Sequence, residues 1–168
     1  MIGRTAIAAV MVAVVSGQVS AEWQIIRRVD PLDAKAFEIA ASVMAAESVT
    51  QFGRAVRASL VAECVEERPP RPIWIALAFQ FSEPVTVADR LLRWRVDDLP
   101  IQERLAHPQA QGRALAIYSA HGPDPTVEQV RAGAKVLKAQ IGLPWAGATA
   151  LTFNVSGADK AFGQIHCK

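Results

Sequence analysis

Apolar and polar positions alternate over much of the chain. Between residues 55 and 65, Val56, Ala58, Leu60, Ala62 and Cys64 fall on one side. A period of two marks a half-buried strand, so Ala55–Val65 is read as a strand that points Cys64 inward. Ile73–Phe81 (IWIALAFQF) is rich in β-branched and aromatic residues and is the clearest strand signal in the chain. Arg68-Pro69-Pro70-Arg71-Pro72 lies between the two and forbids regular structure, leaving them to pair as a hairpin. Arg90–Val96, Gln102–Ala106, Arg113–Ala120, Val136–Ile141 and Ala148–Val155 extend the set, with Leu143–Gly147 connecting the last two as antiparallel partners. Glu22–Ile26 reads as an edge strand. Asp30–Asp33, Gln51–Arg54, Ser82–Pro84, Asp97–Pro100 and His121–Pro125 carry the Pro, Gly and Asp residues of turns.

Two segments have helical spacing. Thr126 stands in the N-cap place of Thr126–Ala134, with Glu128 and Gln129 in the first turn and Val127, Val130 and Ala134 on one face. Ser156, followed three residues later by Asp159, reads as a capping box for a last short helix. Ala158, Ala161, Phe162 and Ile165 form its apolar stripe, and its length requires it to pack on the sheet. Ala36–Ser48 satisfies both periods. Phe37, Ile39, Ala41, Val43 and Ala45 alternate, while Phe37, Ala40, Ala41 and Met44 share a helical face. Its alanine content favours helix. The sum is a mostly antiparallel α+β chain, a two-layer β-sandwich-like domain with one or two short helices.

The first residues follow a different pattern. Met1–Arg4 is short and basic, Thr5–Val15 is small and apolar, and Val19-Ser20-Ala21 is a small-x-small cleavage site. This predicts a signal peptide over residues 1–21 and a single globular domain over 22–168, with no stable membrane span after cleavage. Of the 18 basic residues only Arg4 lies in the leader, so 17 remain against 16 acidic ones. That balance gives no reason to expect nucleic acid as a partner. The chain is 51% apolar and 20% charged, which suits one core. In an exported domain the two cysteines, Cys64 and Cys167, read as one disulfide. In a chain that stays inside they read as free thiols, with His166 placed to activate Cys167.

Several motifs stand in an order that resembles the VasI/TagO-like family of small periplasmic proteins of Gram-negative bacteria. They are the leader, Trp23, Asp30-Pro31-Leu32-Asp33, Leu60–Cys64, Arg93–Asp97, Leu151–Gly157, and a helix carrying Ala161 before the terminal Cys167. The resemblance covers nearly the whole chain after the leader, and its most specific part is the tail. The Ala-rich segment after Asp33 and the proline-heavy loop at Arg68–Pro72 depart from the family pattern. The resemblance implies a periplasmic or secreted accessory protein, in some members associated with type VI secretion. It also favours strand over helix for Ala36–Ser48.

Candidate chemistry is sparse. His107 and His121 sit in turns, and no cofactor or metal motif appears. Ser156-Gly157 lacks the flanking pattern of a nucleophile elbow. Asp97 and Asp98, with Glu83, Asp89 and Glu103 nearby in sequence, offer paired carboxylates for an envelope-acting hydrolase, set against an ordinary turn. Arg93 and Arg95 share one face of their strand and Trp94 the other. The arginines are candidates to recognise an acidic envelope protein or the stem carboxylates of peptidoglycan. Trp145 is a candidate anchor in the Leu143–Gly147 connector, which in a small inhibitor of an envelope enzyme would be the presented loop. The expected function is therefore that of an exported, non-enzymatic binding protein.

Overall fold

The computed structural model describes residues 22–29, 37–66, 73–87, 91–105, 107–117, 124–143 and 147–167. The expected leader, the Asp30–Asp33 turn, the proline-rich loop, His121 and Trp145 lie outside them.

Strand β2 (Phe37–Gln51) organises the sheet. The segment that satisfied both periodicities is a strand because it is paired along both edges. The first part of β2 pairs with β1 (Gln24–Val29), with Gln24 opposite Ser42. Its other edge pairs with β3 (Arg54–Glu66). Its later part brings Ala45 opposite Phe153 of β10 (Gly147–Asn154). Ala41, Val43 and Ala45 then point into the core, and this packing outweighs the helix preference of alanine. The register against β3 slips between Met44 and Ser48. Such a bulge bends a strand, and β10 docks there. The Glu47 carboxylate accepts a hydrogen bond from the Thr152 amide at 2.6 Å.

The turn from β2 to β3 has only two residues. Phe52 (φ 50°) and Gly53 (φ 75°) are both left-handed, as in the turns whose twist matches a hairpin. From β3 the sheet continues through β4 (Ile73–Phe81), then β8 (Ala114–Ala116) and β7 (His107–Gln109). On the far side, β10 pairs with β9 (Val136–Leu143), β9 with β5 (Leu91–Val96), and β5 with β6 (Gln102–Leu105). The order is β6-β5-β9-β10-β2-β3-β4-β8-β7, all antiparallel, with β1 beside β2.

The two expected layers are thus the halves of one curled sheet. Their inner faces share one core, in which Phe79 of β4 meets Phe153 of β10 with ring centroids 5.5 Å apart. The strands at opposite ends of the order, β6 and β7, are separated by Ala106 alone. One intervening residue spans at most about 7 Å between Leu105 and His107, so the chain ties the two ends of the sheet together at that corner. His107 accordingly lies in a strand and not in the expected turn.

Two short helices close the core. Helix α1 (Pro125–Arg131) is capped by Asp124 and not by Thr126; the Asp124 carboxylate accepts from the Thr126 amide at 2.8 Å. Pro125 suits the first helical position, where no amide is needed. Thr126 is instead fully buried, its hydroxyl accepting from the Trp94 indole at 2.9 Å. Helix α2 (Ala158–Phe162) does not carry the expected capping box. Gly157 takes the cap position with φ 79°, and the Ser156 amide donates to the Asn154 side chain. The stripe Ala158, Ala161, Phe162 and Ile165 is buried as expected. Trp23 stands edge-on to Phe162 and donates its indole N–H to the Val155 carbonyl. Cys64 of β3 and Cys167 form the disulfide, with Cα atoms 5.5 Å apart. Among the described residues no helix is long and apolar enough to cross a membrane.

Candidate functional site

The site is built on β5. Alternation turns Leu92, Trp94 and Val96 into the core and leaves Arg93 and Arg95 on the outer face. The strand is held from within. Trp94 is tied to Thr126, Gln102 of β6 accepts from the same hydroxyl, and the Arg104 guanidinium pairs with the buried Asp124 carboxylate. Arg104 also lies 5.9 Å from the centre of the Trp94 ring. These inward contacts fix the backbone from which the outward side chains project.

On the outer face, register decides which charges meet. Arg93 stands opposite Glu103 and Gln140, and Arg95 stands opposite Lys138. Arg93 and Glu103 form an ion pair at 3.1 Å, with both side chains about half exposed. Such a pair contributes little stability but does neutralise Arg93. Arg95 and Lys138 have no ion-pair partner among the described residues. Two cations directly opposite on neighbouring strands have Cβ atoms only about 5 Å apart and repel. They rim a shallow depression of about 170 Å³, whose other walls include Arg93, Ile101, Gln140 and Ala150. Ile101 is 57% exposed beside it. The result is a positive rim around a largely apolar floor, suited to an anion that carries a small apolar group.

The other sequence candidates have local roles or lie elsewhere. Asp97 adopts φ 46° and turns its carboxylate onto the amides of Lys135 and Val136, at 3.1 and 2.8 Å. It thereby fastens the start of β9 to the end of β5. Asp98 and Glu83 are exposed in separate turns, and Glu103 is held by Arg93. Asp97 and Asp98 therefore do not face each other across a cleft as the hydrolase reading requires. Ser156 is exposed in a turn, and His166 is exposed beside a cysteine that is already bridged. Among the described residues no three His, Cys, Asp or Glu side chains group closely enough to hold a metal.

Lys138 and Ile101 complete the depression, and sequence reasoning did not select them. Each is ordinary within its own segment, and only the β5–β9 register shows that a lysine faces an arginine. A second depression of about 300 Å³ lies between the start of β4, α1 and the chain end, with Trp74, Arg131, Ile165 and Cys167 in its walls. Its charged residues Glu128 and Arg131 pair with each other at 3.6 Å. It therefore offers an anion far less than the β5 face does.

In fold the chain is similar to invasion associated protein B from Bartonella henselae, known from a crystal structure. The TM-score is 0.50, with 16% sequence identity over 84% of this chain and 89% of that one. No family model matches the chain, and no curated protein matches it. At that identity the likeness is one of fold alone.

Proposed function

We propose that this chain is an exported, non-enzymatic accessory protein of the bacterial envelope that binds an acidic partner through the outer face of β5 and β9. The observation that carries the reading is the Arg95–Lys138 pair, two uncompensated cations placed opposite each other at a depression. Repulsion of this kind lowers stability and is relieved when an anion sits between the charges. The compartment is supported by the Cys64–Cys167 bridge, which belongs to an oxidising environment, and by the expected leader over Met1–Ala21. The resemblance to the VasI/TagO-like family supports the same compartment, and we extend it to an accessory role such as one beside a secretion system. The test is fractionation followed by intact mass, then retention of the purified chain on isolated envelopes. The expected protein lacks Met1–Ala21 and two hydrogens, and R95E/K138E loses retention at least tenfold. An uncleaved chain with free thiols, or retention indifferent to R95E/K138E, would refute the proposal.

A further inference from the structure

We infer that the Arg95–Lys138 depression takes a carboxylate borne next to a methyl-sized group, as at the end of a peptide that finishes in alanine. This rests on the recognition reading above and names the chemistry of the same site. Arg93 is already neutralised by Glu103, so the local excess is the two charges of Arg95 and Lys138. A guanidinium offers a planar fork to a carboxylate, and an ammonium on the facing strand offers a point charge from the other side. Phosphate sites characteristically add a cradle of free backbone N–H groups. Here the β5 and β9 backbones are paired to each other from Leu92–Ile141 to Val96–Leu137, so the site presents side chains alone. The geometry therefore favours carboxylate over phosphate.

Size narrows the ligand further. A volume of about 170 Å³ is below the roughly 300–1,000 Å³ of pockets that take drug-sized ligands, so the fitting group is small. That admits a carboxylate, its α-carbon, a methyl group and the preceding amide. The methyl group meets Ile101 and Ala150, the apolar side of the depression. The same chemistry occurs at the tail of a ribosomally made protein, in the L configuration, and at the end of a wall stem peptide, in the D configuration.

The experiment is an amide-resolved NMR titration of the disulfide-bonded chain with N-acetyl-L-alanyl-L-alanine and with N-acetyl-D-alanyl-D-alanine. The amide-capped forms of both and inorganic phosphate serve as comparison probes. Saturable shifts at residues 93–95, 101 and 138–140 are expected from a free acid, with at least tenfold weaker binding in R95T and K138T. Response to the L acid alone assigns a protein tail, response to the D acid alone assigns the wall, and response to both supports the shared chemistry. No saturable shift from either acid, or equal binding of the capped forms or phosphate, overturns the inference. If envelope retention still depends on Arg95 and Lys138 in that case, the recognition reading stands and only the ligand assignment falls.

Discussion

The outer faces of the two halves of the sheet are opposites, although their inner faces share one core. Around β3 and β4 the outer face includes apolar positions that are buried: Val61, Ala76 and Ala78 are at most 5% exposed. Around β5 and β9 it is open and charged, with Arg93, Arg95 and Lys138 above the depression. The halves are also fastened differently. A disulfide anchors the chain end beyond α2 to β3, whereas buried hydrogen bonds and the Arg104–Asp124 pair anchor α1 to β5 and β6. One half is built for cover. The other holds a rigid strand in place so that its outward side can meet something else.

The sharpest break of this comparison is to put the same charge on both outer faces. Ala76→Arg in β4 buries a cation without a partner and is expected to cost several kcal/mol. Ala148→Arg in β10 stands on an exposed position and should change stability by no more than about 0.5 kcal/mol. Urea unfolding of the two variants checks this, and equal effects would remove the contrast. Next in size is the covalent fastening. Replacing Cys64 and Cys167 by serine opens a bridge between residues 103 apart in sequence. The expected loss is about 2–5 kcal/mol, a fall in Tm of about 2–4 °C for each kcal/mol, read by thermal melts with and without reductant.

How far the sequence disclosed this contrast follows from what alternation can and cannot encode. In RLLRWRV the period of two separates Trp94 from Arg93 and Arg95, and the structure keeps that division. The hairpin of β3 and β4, the inward Cys64 and the stripe of the last helix were equally legible, because each is a local apolar pattern. The helix caps were not. Asp124 lies two residues before the segment read as helical, and a left-handed glycine at position 157 replaced a serine cap that matched the motif. The continuity of the sheet was hidden as well, since it depends on β2 pairing with β10 as well as with β1 and β3. Lys138 was overlooked for the same reason: its meaning comes from a partner over forty residues away in the chain.

The hydrogen-bonded fastening gives a smaller expected effect. Asp124→Ala removes the α1 cap and leaves Arg104 without its carboxylate. We expect about 2 kcal/mol, below the 3–5 kcal/mol of a fully buried pair because Arg104 keeps a third of its side chain in water. The loss should loosen β6 first, seen as faster hydrogen exchange at residues 102–105 than in the β3–β4 hairpin. Uniform acceleration across both halves would mean that α1 does not fasten one half selectively.

The smallest effect bears most directly on the central claim, that Arg95 and Lys138 face each other at a cost to stability. It is measured by urea unfolding of the parent chain, R95T, K138T and R95T/K138T as a double-mutant cycle. Each single variant is expected to be more stable than the parent by about 0.2–1 kcal/mol. The double variant should gain less than the sum, because one repulsion can be removed only once. Single variants that lose stability, or a cycle showing attraction between the two positions, would contradict the account.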